Sequence, residues 1–215
     1  DFAEAFERLT ANGDDVLALT LSSALSGTYQ SAMIAAADFA GHIRVVDTLS
    51  VSLGAQIIAL YAHRLVSEGK GLDAAADEVE AAKGRAHAIA LLDTLEYLKR
   101  GGRISSAAAF TGGILSIKPV ITIRNGAVAV IGKARGSKNG NNLLSQMIGK
   151  YGVDFSMPYM LGYSGLSDAT LQKYKADSAR LWVGHADDLP VMVIGSVIGT
   201  HAGPGALGVA FFGLE

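Results

Sequence analysis

The sequence predicts an α/β fold in two domains, the first with a parallel sheet and flanking helices, the second with a mixed or antiparallel sheet. Three observations carry this expectation. Short β-rich runs alternate with helical patterns through the first 84 residues, the pattern of parallel βαβ units. Glycines at 69, 71 and 84 punctuate the end of that stretch and place a boundary between residues 1–84 and 85–215. Beyond it, Asn125-Gly126 joins two apolar runs and supplies the positive φ values that a tight hairpin turn demands.

Each element follows from its local pattern. DFAEAFERL, from Asp1, spaces its apolar residues as an amphipathic helix. VLALTL (Val16 to Leu21) reads as a strand, a helix begins near Gly27, IRVVD (Ile43 to Asp47) is a second strand, and a helix runs through Leu65. LDAAADEVEAAK is a further helix that closes the first domain. HAIALLD (His87 to Asp93) is the next strand, TLEYLKRGG a short helix stopped by Gly101 and Gly102, and ITIRNGAVAVIG the hairpin. A helix near Leu143, a strand YMLGY, a helix from Asp168 to Leu181 and two buried terminal strands, VMVIGSVIG and ALGVAFF, complete the chain.

Composition narrows the function. Half of the 215 residues are apolar and only 18% are charged, so an apolar feature beyond an ordinary core is expected. A net charge of −2 offers no basic field to displace phosphate counterions, which disfavours nucleic acid as a partner. The absence of cysteine removes disulfides, thiolate nucleophiles and thiolate metal sites, and the five histidines are too scattered to suggest a metal centre. The greasiest stretch, Val191 to Gly213, contains His201, Pro204 and six glycines, so it reads as strands and not as a membrane span.

Four motifs could carry chemistry. SSALSGTYQSA (Ser22 to Ala32) links a strand to a helix and gathers hydroxyls with free N–H groups, which makes either an anion site or an ordinary helix cap through Ser26. TLEYLKRGGRIS sets Arg103 just past a glycine pair, where its guanidinium can fork onto a carboxylate or phosphate. Arg135, with Lys133 and Lys138, ends a strand as either a basic docking cluster or a solvated loop. His201 stands in an apolar, glycine-rich turn, IGTHAGPGALG. GPGALG mimics a dinucleotide fingerprint but lacks the acidic residue about 20 positions on, and GAVAVIGKA fails as a P-loop because it has one residue too many and Ala134 in place of a hydroxyl. No G-x-S-x-G elbow precedes a helix.

Taken together, SSALSGTYQSA, VVDTLSVSLGAQ, LLDTLEYLKRGGRIS, GGILSIKPVITIRNG with GKAR after it, and IGTHAGPGALG resemble the DegV family in the family's own order, over nearly the whole chain. The resemblance implies a cytoplasmic, non-catalytic carrier acting in bacterial phospholipid metabolism as a subunit of fatty acid kinase. Its ligand would be a long-chain fatty acid such as palmitate, stearate or oleate, with no other cofactor and no metal. Carried over by position, Ser22 and Ser23 would hydrogen-bond the carboxylate, Ser26 and Gly27 would complete that loop, and Arg103 and His201 would finish the polar network. Arg135, with Lys133, would face the ATP-dependent kinase subunit that converts the bound acid to an acyl phosphate. The family pattern opens with a further strand and a Thr/Ser-bearing segment ahead of the point matching Asp1, so the first sheet is expected to lack its first strand. Burying about 16 carbons at roughly 0.8 kcal/mol per methylene offers on the order of 12 kcal/mol before ordering costs, and a buried carboxylate demands paired donors. Two other readings compete: a small α/β hydrolase or phosphotransferase with Ser23 or Ser26 as nucleophile and His201 as base, and a scaffold whose apolar groove takes a partner helix.

Overall fold

The computed structural model describes residues 1–39, 41–105, 117–186 and 188–214. The Gly112 to Ser116 part of GGILSIKPVITIRNG lies outside the described residues. In the first part, helix α1 (Phe2–Thr10) precedes strand β1 (Val16–Thr20), helix α2 (Thr28–Ala36) and strand β2 (Ile43–Asp47). The two strands pair in parallel, from Val16 opposite Ile43 to Thr20 opposite Asp47, with α2 as the crossover. Both strands therefore deliver their C-terminal ends, Leu21 to Ser26 and Thr48 to Ser52, to the same edge, where ligands are met in open α/β sheets. Helices α3 (Leu53–Ser67) and α4 (Leu72–Ala82) follow.

The rest of the chain forms a six-stranded mixed sheet. Its strands are β3 (Ala86–Leu91), β4 (Ile117–Arg124), β5 (Ala127–Arg135), β6 (Met160–Tyr163), β7 (Val191–Val193) and β8 (Leu207–Phe212), in the order β5-β4-β3-β8-β6-β7. Only β6 and β7 run parallel; the other described pairings are antiparallel. Asn125 and Gly126 both take positive φ, 50° and 78°, which closes the β4–β5 turn. Helices α5 (Glu96–Arg100), α6 (Gly136–Tyr151), α7 (Ala169–Asp177) and α8 (Ser196–Ala202) complete the fold.

The two faces of this sheet differ in side-chain size, and the difference creates the site. Leu91, Leu207, Val209 and Phe211 pack with Leu144 and Ile148 of α6 and with Leu171, Tyr174 and Trp182 into one continuous core. Side chains alternate along a strand, so the opposite face of β3, β6 and β8 presents Ala88, Ala90, Gly162, Gly208 and Ala210. Against part of that face lie Ile57, Ile58, Ala62 and Leu65 of α3, which join Val46, α4, Met160 and Phe212 in a second core. A fully buried Leu or Ile contributes about 1.5–3 kcal/mol, so α3 fastens the parallel pair to the large sheet.

One expected element is corrected. VMVIGSVIG is not a buried strand: only Val191–Val193 is extended, at the sheet edge with Val191 and Val193 exposed, and Ser196–Ala202 is helical. An apolar run this short does not distinguish strand from helix, and Gly195 with Gly203 at φ 78° brackets the helix. ALGVAFF behaves as expected, since every residue of β8 is buried between β3 and β6. Among the described residues no helix is long and apolar enough to cross a membrane.

Candidate functional site

An apolar cavity of about 190 Å³, open in part to solvent, lies over the small-residue face of the sheet. Ala88, Ala90 and Gly208 form its floor, Ile121, Ile123 and Val128 of the hairpin one wall, and Leu53 and Leu98 others. Helix α8 covers it with Val197, Ile198, His201 and Ala202, although no α8 residue is itself buried. The polar groups on this lining are few: Ser26, Ser52, Thr122, Arg103 and His201. Thr122 is already committed, donating its hydroxyl to the Ala88 carbonyl at 3.0 Å.

Of the expected site residues, Ser26, Arg103 and His201 meet at the cavity. Arg103 is exposed, so it marks the open end, and its guanidinium is steadied by donating to the Leu25 carbonyl at 3.2 Å and the Gly101 carbonyl at 2.8 Å. The Ser26 hydroxyl lies 2.8 Å from the Thr28 hydroxyl and accepts from the Thr28 N–H at 3.3 Å, a local turn just ahead of α2, whose cap position is Gly27. His201 occupies the last turn of α8, not the glycine-rich turn itself, and its Nδ1 is buried with no hydrogen-bond partner. That nitrogen is the ring atom nearest Gly101.

Reciprocal glycines hold α8 to α5. A Cβ on Gly101 would overlap the His201 ring, and one on Gly203 would overlap the Tyr97 ring. Each helix end thus carries a ring that fits only against a missing side chain on the other.

Ser22, Ser23 and Gly27 do not border the cavity. Ser22 is fully buried and donates its hydroxyl to the Gly126 carbonyl at 2.7 Å while accepting from the Ala24 N–H at 3.2 Å, so it ties the serine loop to the hairpin turn. The Ser23 N–H donates to the Asp47 carboxylate at 3.2 Å, and Gly27 is the exposed residue preceding α2. Lys133 and Arg135 lie at the far end of β5, Arg135 opposite Ile117. Seven residues separate Arg135 from Val128 on the cavity wall, about 20 Å along a strand.

Asp47 was not singled out from the sequence. It is 9% exposed, ends β2, and accepts from Ser23 N–H and, at 2.9 Å, from Leu49 N–H, while its own carbonyl accepts from Lys83 Nζ at 2.7 Å. It braces both strand-end loops, including Leu49 and Ser52, whose φ values of 50° and 55° are unusual for non-glycine residues. The signal was available: a carboxylate closing a strand of a parallel pair beside a serine-rich loop. A second missed signal was the alternation of small residues in HAIAL and ALGVA, which predicts a sheet face with room above it.

These features agree with known proteins. The DegV family model, described as uncharacterised protein of the DegV family, matches residues 1–213. A DegV domain-containing protein of Deinococcus radiodurans is 35% identical over 213 residues, covering 98% of this chain and 74% of the relative. A solved DegV family protein from Thermus thermophilus, described by its fatty acid binding, superposes with a TM-score of 0.83 at 33% identity over 99% of this chain and 76% of that one. A DegV lipid-binding protein from Thermotoga maritima does so with a TM-score of 0.79 at 27% identity, covering 100% of this chain and 74% of that one. With a family match over almost its entire length, a small-residue sheet face and a cavity bordered by the Arg and His of two of the shared motifs, the chain belongs to the DegV family.

Proposed function

We propose that the protein binds a long-chain fatty acid, its acyl chain in the apolar cavity and its carboxylate at the end marked by Arg103, His201 and Ser26. The observation that carries this reading is the pairing of an almost wholly apolar cavity with an exposed Arg103 and with His201 on the same lining. An aliphatic chain gains by leaving water for such a space, ordering costs aside, and a carboxylate there receives charge-assisted donors. The fatty-acid and lipid binding of the Thermus and Thermotoga relatives supports it. Ser22, Ser23, Gly27 and Asp47 serve this site by holding the loop that carries Leu25 and Ser26.

The carrier would act without catalytic machinery of its own and present the carboxylate to an ATP-dependent kinase that forms an acyl phosphate. Arg135 and Lys133 would contribute to the surface that kinase meets. The hydrolase reading needs the Ser23 or Ser26 hydroxyl hydrogen-bonded to His201; Ser26 instead engages Thr28, and Ser23 does not border the cavity that His201 lines. The two-domain division at residue 84 belongs to the same proposal, with the ligand held between the parallel pair and the large sheet.

Displacement of a fluorescent fatty acid tests the assignment. Palmitate or oleate should displace it saturably, Arg103→Ala and His201→Ala should each weaken binding by about 10- to 100-fold, and the alcohol of the same chain length should bind the wild type weakly and be indifferent to both substitutions. Equal binding of acid and alcohol would move the head group elsewhere.

A further inference from the structure

Leu53 opens α3, borders the cavity and is 4% exposed. Its two methyl groups press on two glycines that are direct register partners across the β6–β8 ladder, Gly162 and Gly208. A Cβ on Gly208 would stand 2.7 Å from Leu53 Cδ1, and one on Gly162 would stand 2.8 Å from Leu53 Cδ2. Carbon atoms settle at about 3.5–4.0 Å, so neither position tolerates a side chain while Leu53 stays in place. Neither glycine adopts positive φ, and the backbone therefore gives no reason for glycine at either position. Glycine in a strand interior costs about 0.5–1 kcal/mol and marks a close approach. Here the approaching group is the Leu53 side chain, which recedes into a two-glycine window in the sheet.

We infer that this window sets the length of acyl chain the cavity accepts, an inference that rests on the fatty-acid reading above. With the window open, Leu53 lies flat against the sheet and leaves the cavity floor to the ligand. With it filled, the unfilled volume beside Leu53 is the cavity, and the side chain swings there. Gly208 is the position to test, because its added Cβ meets Leu53 and otherwise only the Gly162 carbonyl at 4.0 Å. At Gly162 the Cβ would also meet the Met192 carbonyl oxygen at 3.1 Å, backbone that cannot turn aside.

The experiment is competition by a saturated series from lauric to arachidic acid against one fluorescent fatty acid, on the wild type, Gly208→Ala, Leu53→Ala and Gly208→Ala/Leu53→Val. Gly208→Ala should shift the preferred length downward, weakening the longest acids by about fourfold for each methylene no longer buried and leaving the shortest unchanged. Leu53→Ala should shift it upward, and the double variant should return the profile toward the wild type. That compensation distinguishes a control of length from general damage. A Gly208→Ala profile that is unchanged, or lowered equally at every length, overturns the inference; should that variant not fold, an unchanged Leu53→Ala profile overturns it. If the wild type binds no member of the series, the fatty-acid reading itself fails, before any variant is compared.

Discussion

Replacing Ala90 with leucine asks whether the space over the sheet is a ligand site or a loosely packed core. Ala90 sits on β3 opposite Ile121 and Gly208 and points at the cavity. Leucine adds about three carbons, which in a filled core would cost about 1–3 kcal/mol through strain. In a real cavity the same carbons leave water or empty space and gain contacts, so the unliganded protein should keep its stability or rise by up to about 2 kcal/mol. The ligand loses what the leucine takes. About three methylenes at roughly 0.8 kcal/mol each is close to 2.4 kcal/mol, or about 60-fold in affinity for a long acyl chain. Thermal unfolding of lipid-stripped protein and displacement of a fluorescent fatty acid read the two quantities separately. A destabilised Ala90→Leu protein with unaltered affinity would refute the reasoning, because it would mean the floor is packed and the acyl chain lies elsewhere.

Other consequences are equally open to measurement. Gly101→Ala should displace the His201 ring and weaken fatty-acid binding as much as His201→Ala does, and the double substitution should add little to either, a non-additivity read from the same displacement assay. Asp47→Ala strips the acceptor from the Ser23 and Leu49 N–H groups and should cost about 1–3 kcal/mol, seen as a lower denaturant midpoint with an unchanged slope. Burial holds the His87 imidazole below its ordinary pKa, its Nε2 has no partner, and its ring stacks on Tyr151 at 4.1 Å. The unfolded chain therefore binds a proton that the folded chain refuses. Stability is full above about pH 6.5 and falls below it by at most about 1.4 kcal/mol per pH unit, and His87→Phe should flatten that slope in unfolding titrations between neutral and acidic pH.

Much of the architecture was legible because it rests on local rules. Asn125-Gly126 specifies its turn through backbone sterics, and ALGVAFF is apolar on both faces because β8 is central. VMVIGSVIG was not legible, because a strand of three residues and a helix of seven share one apolar run and only tertiary contact with the cavity separates them. Arg103, His201 and Ser26 were carried over by position from the family resemblance, and the fold puts all three on the cavity lining. Ser22 looked like an equal member of its loop, and nothing local reveals that the Gly126 carbonyl, 104 positions away, accepts its proton. The braces and windows, Asp47, Gly162 and Gly208, escaped for a related reason: their partners Ser23 and Leu53 are distant in sequence, and such residues act through a neighbour and carry no chemistry of their own.

The most direct test of the central claim is to purify the protein without detergent, record its mass under native conditions, and extract and identify what accompanies it. One long-chain fatty acid per chain, lost or sharply reduced in Arg103→Ala/His201→Ala protein, is the predicted result. Protein that emerges empty and shows no saturable binding of added palmitate or oleate would contradict the account.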